Sequence, residues 1–361
     1  MALFSSTVEK NEEERQQALE VSNDFQSSQK NVGVDLGYGF IKLIGAVGEV
    51  KFPSIVGLGG ELQYSTSLSF NKNELDLNNL MVKLNHETYF VGNLALRQSD
   101  IATRSLDSHR VNDKNSSVLM LTALGLLSKR DNEVFNLVTG LPISNYNSHK
   151  EWAQKMYGQH EVAFIGDKTD RPKRFTLKKI HVIPQPLGTF YDQLLNSSGG
   201  ITNKDLADLM IGIVDIGYKT TGYAAVNNLE MVEHLSYSND NALSNAYRMV
   251  AAYLRKEYGI NKEIFELDNI LEKGWLKIAG KLQDIENTKN EIFEKVASKI
   301  VTDILSIWDY KEFDLIYLTG GGGQALAKYI LPHFPNMRLV DGPQHANVRG
   351  YQKLATNLFS Q

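Results

Sequence analysis

The sequence predicts an α/β protein of two similar domains closed around one ligand cleft, and three observations carry that prediction. Val32-Gly33-Val34-Asp35-Leu36-Gly37-Tyr38-Gly39 reads as a buried strand, a glycine turn and a returning strand, and Ile213-Val214-Asp215-Ile216-Gly217-Tyr218 repeats its core. The two copies lie 180 residues apart in a chain of 361, the spacing of a duplicated domain and not of a local repeat. Strand-like runs and amphipathic helical runs also interleave through both halves. An ordinary β-hairpin explains either copy alone. Two copies at this distance point to a hairpin from each domain facing one cleft.

The residues of these hairpins suit a nucleotide's phosphate end. Asp35 is a lone carboxylate near the end of an apolar strand, a group suited to a hydrated cation. Gly37 and Gly39 flank Tyr38, so backbone amides can turn toward a ligand without Cβ interference. Lys42 falls among apolar neighbours on the returning strand, where a buried ammonium calls for an anion. The second copy offers Asp215, Gly217 and Tyr218, followed by Lys219, Thr220 and Thr221.

Composition narrows the class. Hydrophobic residues make up 42% and charged residues 22%, values of a soluble globular chain with length for two domains. The net charge of −4 offers no general basic field for nucleic acid or an anionic membrane. With no cysteine, disulfide scaffolds, zinc–thiolate sites and cysteine nucleophiles are excluded. The polar start has no signal-peptide core, and the longest apolar run, 118–127, is too short to cross a bilayer. A cytoplasmic location is expected, and the sequons at Asn115 and Asn196 then carry no meaning.

Taken in order, residues 1–30 are rich in Glu, Gln, Ser and Asn and read as a mobile extension. After the first hairpin, 47–56 reads as a strand and 61–80, Asn- and Leu-rich, as an exposed insertion. Strands are expected at 87–92, 134–140, 161–165 and 175–182, with helices at 116–129 and 149–158. A strand then ends at Pro184-Gln185-Pro186, with a helix from 189 behind it. Two prolines clamp Gln185 on this corner, which places it well to orient a water; a turn residue facing solvent is an equal alternative from the segment alone. The second half continues with strands through 226 and 234, helices at 242–258 and 290–308, and a short hairpin-like stretch at 271–282. Residues 314–319 form a strand, followed by Gly320, Gly321, Gly322 and Gly323 and then a helix from Gln324. Four bare residues there let a ring or ribose lie on the backbone. A last helix starts near 346 and packs back on the first domain.

Other nucleotide folds fail on specific residues. Gly212 to Thr220 comes within one residue of a Walker A loop, but Tyr218 displaces the lysine and a strand follows. Gly37-Tyr38-Gly39 leads to Lys42 where a Rossmann loop needs a third glycine, no protein-kinase set is present, and the eight histidines form no metal-spaced cluster.

The ordered set of hairpin, rigid corner, second hairpin and glycine-rich turn resembles the actin-like ATPase superfamily. Within it the set is most similar to prokaryotic actin-like proteins of the ParM and archaeal actin-like group. The resemblance spans about 31–361 and implies the duplicated, ribonuclease H-like actin fold. Domain I would comprise 31–184 with 341–361, and domain II 185–340. Thr139-Gly140-Leu141-Pro142 and Asn347-Val348-Arg349-Gly350 resemble the two interdomain connections. By the same resemblance the cofactors are ATP or GTP with Mg²⁺. Asp35 and Asp215 would hold the metal, the latter ordering water on the far side of the γ-phosphate. Lys42 would contact the phosphate chain and Gln185 would position the attacking water. The glycines, Tyr38, Tyr218, Lys219, Thr220, Thr221 and Gln324 would line the nucleotide.

The resemblance further implies a filament of identical subunits whose dynamics follow nucleotide hydrolysis, working in plasmid DNA segregation. DNA would be reached through an adaptor protein on a centromere-like site, with no direct nucleic-acid or membrane contact. Two alternatives stand beside this. One is a small-molecule kinase or phosphatase of the same superfamily, which needs a catalytic carboxylate facing an acceptor pocket. The other is a non-polymerising scaffold, which would tend to lose Gln185 or the aspartates.

Overall fold

A computed structural model of the chain describes residues 29–46, 48–60, 76–99, 103–104, 113–166 and 171–360. The extension expected at the N-terminus lies outside these residues up to 28, as does the insertion up to 75. The chain forms two mixed sheets with helices packed on and between them.

The first sheet is built from β1 (Gln29–Leu36), β2 (Phe40–Gly45), β3 (Gly48–Pro53), β4 (Ile55–Leu58), β5 (Leu80–Leu84), β6 (Glu87–Val91), β7 (Thr103–Arg104), β8 (Glu133–Leu141), β9 (Gly158–Phe164) and β10 (Lys173–Pro184). Their spatial order is β3-β2-β1-β8-β10-β9-β5-β6-β4-β7. The stretch expected as one strand at 47–56 is two, because Pro53 ends pairing with β2 and Ile55 opens pairing with β6 and β7. The second sheet takes β11 (Met210–Ile216), β12 (Thr221–Asn227), β13 (Glu230–Met231), β14 (Tyr237–Asn239), then, beyond the separate hairpin β15 (Trp275–Ile278) and β16 (Lys281–Asp284), β17 (Leu315–Thr319) and β18 (Met337–Leu339). Its order is β13-β12-β11-β17-β18, with β14 on β12. His234, expected in a strand, falls in the single 3₁₀ turn Glu233–Leu235 that precedes β14.

The duplication is explicit in this topology. In the first sheet β1 is antiparallel to β2 and parallel to β8, which is parallel to β10. In the second, β11 is antiparallel to β12 and parallel to β17, which is parallel to β18. Strands that feed parallel neighbours need a crossover and bury both faces, which explains the near-continuous apolar runs Val32–Val34 and Ile211–Ile216.

The helices are α1 (Asn93–Gln98), α2 (Lys114–Leu127), α3 (His149–Met156), α4 (Leu187–Leu194), α5 (Leu243–Tyr258), α6 (Asp268–Lys273), α7 (Glu286–Ile307), α8 (Gly320–Ile330) and α9 (Ala346–Phe359). Helix α7 shows how pattern becomes position: Ile292, Phe293, Val296, Ile300 and Ile304 recur at three- and four-residue steps and are buried against the second sheet's core. The stretch at 271–282 divides into the end of α6 and the hairpin β15–β16, the break falling at Gly274 with φ +75°. Helices α4 and α9 join the two sheets. Helix α4 follows the first sheet yet contacts β11, whereas α9 follows the second and lies along β1 and β8. A shared core of Val138, Ile183, Phe190, Ile213, Ala224, Tyr317 and Tyr351 joins both sheets through this helix pair.

Candidate nucleotide site

The cross-strand register of the first hairpin places Lys42 directly opposite Asp35. Lys42 Nζ lies 2.8 Å from Asp35 Oδ2, and both residues are buried. A lysine and an aspartate taken from water at this depth are tolerable only as a pair. The aspartate's second oxygen, Oδ1, accepts from Gln185 Nε2 at 3.3 Å. Gln185 therefore faces inward, and the solvent-facing alternative is closed. The corner that aims it is built as its prolines suggest: β10 ends at Pro184, α4 begins at Leu187, and the Gln185 amide donates to Leu141 O at 2.8 Å.

The second hairpin repeats the register with one substitution. Asp215 pairs with Gly222, the place Lys42 holds in the first copy. No lysine fits there, since even a Cβ on Gly222 would lie 2.7 Å from Pro186 Cγ. Asp215 has instead the amide of Asn347, whose Nδ2 donates to Oδ2 at 2.7 Å. Burial raises its pKa to about 6; the Asn347 hydrogen bond and, more weakly, Lys42 act downward, and the negative charge of Asp35 acts upward.

Both aspartates, Lys42 and Gln185 line one cavity of about 260 Å³ between the sheets, together with Gly37, Tyr38, Gly39, Gly217, Tyr218, Thr220, Gly320, Gly321 and Gly322. The hairpin tips meet across it. Lys219 Nζ sits 5.1 Å from the centre of the Tyr38 ring, and a Cβ on Gly39 would touch Tyr218 at 3.5 Å. Lys219 is thus at the tip contact and does not line the cavity. Thr221, Gly323 and Gln324 also do not line it. The Thr221 hydroxyl is buried and donates to Asn241 O at 2.6 Å, Gly323 is buried against Leu318, and Gln324 is exposed.

The glycine run differs from its expected form. It is not a loop before a helix but the first turn of α8 itself, which starts at Gly320 directly after β17. Gly320 makes the corner with φ +85°, and its Cβ would fall 2.3 Å from Ile216 O. The result is a helix start whose free amides carry no side chains at the cavity wall. Residues that motif reading does not assign also line the cavity, among them Leu243, Tyr247, Asp268 and Gln344. Leu243 and Tyr247 lie one turn apart on α5, Asp268 opens α6 and Gln344 lies in the turn before α9, and none of them belongs to a motif. Lys51 was likewise unassigned, although it pairs across the sheet with Lys42. Its Nζ reaches Gln344 Oε1 at 3.1 Å, and burial, with Lys42 beside it, lowers its pKa.

A family model described as the actin-like proteins' N-terminal domain matches residues 33–188, and one described as the archaeal MreB-like actin homologue's C-terminal domain matches residues 213–330. The chain belongs to the actin-like proteins. Solved structures agree. A ParM filament of fifteen strands from Clostridium botulinum superposes with a TM-score of 0.78 at 25% identity, covering 92% of this chain and 100% of that one. An archaeal actin homologue solved in complex with ADP shares the fold at a TM-score of 0.72 and 18% identity, over 90% of this chain and 98% of the other. The apo ParM protein of pSK41 does so at 0.68 and 19%, over 92% and 98%. No curated protein sequence matches the chain.

The donor set fits a metal held as magnesium usually is. Among the described residues no group of three or more His, Cys, Asp or Glu forms a cage. Mg²⁺ commonly takes one or two carboxylates, several waters and the oxygens of a phosphate ligand. Two buried carboxylates facing one cavity, with the charge of Asp35 acting to raise the pKa of Asp215, meet that description. Among the described residues no helix is long and apolar enough to cross a membrane.

Proposed function

We propose that this actin-like protein binds and hydrolyses ATP or GTP in the interdomain cavity and couples hydrolysis to the assembly and disassembly of a filament of its own copies. The observation that carries the reading is the convergence of the Asp35–Lys42 pair, Gln185 and Asp215 on one cavity from three separate places in the sequence. Its biological role would be plasmid DNA segregation through an adaptor protein, in a cytoplasmic setting. The likeness to ParM structures, one of them a filament, supports this.

In this reading the bare amides of the two hairpins and Lys42 bind the phosphate chain, and the glycine start of α8 at the cavity wall takes the nucleoside end. Asp35 and Asp215 would hold Mg²⁺ through its waters. When bound, that ion neutralises charge on the phosphate oxygens. Gln185, already anchored to Asp35 through Nε2, keeps Oε1 available to accept from the attacking water. Asp215 orders water on the opposite side. The site works by placement and charge, with no covalent intermediate on the protein. Nucleotide bound by both hairpins would favour the closed arrangement of the domains, and its hydrolysis would release that bias.

The test is light scattering of the purified protein after adding Mg-ATP or Mg-GTP, followed by electron microscopy. A lag, a rise and a later fall, with filaments on the grid, are expected. Hydrolysis with no rise at any concentration would move the assignment to a small-molecule kinase or phosphatase. Neither signal would move it to a scaffold.

A further inference from the structure

Both groups assigned to hydrolysis are gripped by one face of α9. Asn347 and Tyr351 are four residues apart, one above the other on that helix. The Asn347 amide is oriented by its surroundings: Oδ1 accepts from the Thr189 backbone amide at 3.0 Å and from the Thr189 hydroxyl at 2.8 Å. That leaves Nδ2 to meet Asp215 Oδ2, at 2.7 Å. One turn further, Tyr351 Oη donates to the backbone carbonyl of Gln185 at 3.0 Å. Tyr351 has no solvent exposure, and burial raises its pKa well above the usual phenol value, so the hydroxyl keeps its proton.

The fit leaves no room for another arrangement. A Cβ on Gly140 would stand 2.0 Å from Tyr351 Oη, and one on Gly188 2.5 Å from Tyr351 Cε1. Interiors packed this closely transmit displacement without absorbing it. The helix lies on β1, which carries Asp35, while its side chains hold a carboxylate of the other sheet and the carbonyl of the Gln185 corner.

We propose that Asn347 and Tyr351 are positioning residues that together set the distance and orientation between the Asp215 carboxylate and Gln185. The proposal rests on the reading of those two groups given above. Thr189 serves as the anchor of Asn347, and the Thr319 hydroxyl, 3.0 Å from Thr189 Oγ1, ties the same network to the strand that leads into α8.

The test is a pair of double-mutant cycles read in kcat and in nucleotide Kd. Asn347→Leu and Tyr351→Phe are measured alone, then in the Asp215→Asn and Gln185→Ala backgrounds respectively. Each single variant is expected to lower kcat about tenfold, and Tyr351→Phe, whose ring lies outside the cavity lining, to change nucleotide Kd less than about twofold. In the matching background each should add nothing, because the group it positions is already gone. Losses that multiply in the double variants, or a Kd that weakens in step with kcat, would overturn the proposal. Tyr351→Phe removes one buried oxygen and keeps the ring, so it decides the matter if Asn347→Leu does not fold. If Gln185→Ala and Asp215→Asn turn over at the wild-type rate, the reading of the site fails and the proposal with it. If those two are slow and Tyr351→Phe is not, the proposal alone fails.

Discussion

Lys42 stands directly across the hairpin from Asp35 with its ammonium 2.8 Å from the carboxylate. Gly222 holds the same register position opposite Asp215. One repeat thus carries a neutralised aspartate and the other an aspartate without a lysine, so two copies of one motif present different electrostatics to one cavity.

Replacing Lys42 with Met should expose the cost of that pairing. It leaves Asp35 buried without its cation, a change that costs about 3–5 kcal/mol when one partner of a buried pair is removed. Urea unfolding should show the loss, and titration with a fluorescent nucleotide should show affinity reduced at least about tenfold. Stability and affinity both at wild-type values would remove Lys42 from the site.

Gln185→Ala should separate binding from chemistry. Nucleotide affinity is expected to stay within about twofold while hydrolysis slows by roughly tenfold or more, as for a group that orients and does not bind. Filaments should then persist longer after nucleotide addition. Hydrolysis at the wild-type rate would end the water-positioning assignment.

The raised pKa of Asp215 has a sign that can be checked. Its ordinary value is 3.8 and its folded value about 6, so between these pH values the folded chain binds more protons than the unfolded one. Stability should therefore fall as pH rises through this window, by on the order of 2–3 kcal/mol from this group in the ligand-free protein. Asp215→Asn has no such titration. The difference between the two proteins in urea-unfolding free energy, measured from pH 4 to 7, should grow in favour of the variant. A constant difference would show that Asp215 is not held in this state.

Gly350→Ala should be among the most damaging substitutions of a small residue in the chain. Its Cβ would lie 1.7 Å from Gly188 O, at the crossing of α9 and α4. Separation of the two helices is needed to admit it, at a cost of about 1–3 kcal/mol or more. Thermal melting reports the loss, and an unchanged midpoint would contradict the close crossing.

Much of this site was legible before any coordinates, for local reasons. Asp35, Gly37, Gly39 and Lys42 occupy one hairpin, so their proximity follows from strand periodicity alone. The same holds for Asp215 and Gly217. Gln185 was legible because prolines on both sides leave the chain few conformations, although its direction was not. The glycine run was found but its form was not, since glycines in a row ordinarily disfavour a helix. In the folded chain the close approach of Ile216 to Gly320 and Gly322 outweighs that preference.

The sequence by itself determined two like α/β units, the strands that carry an aspartate each, and the turns that leave amides bare, because these depend on neighbours within about ten residues. Only the tertiary structure decided that Asp215 relies on Asn347 and not on a lysine, that Gln185 reaches Asp35, and that Thr221 turns away to Asn241. Those contacts join residues 132, 150 and 20 positions apart. The Asn347 contact exists because α9 meets α4 at a crossing that glycines at 188 and 350 make close enough, and no local pattern encodes where two distant helices will touch.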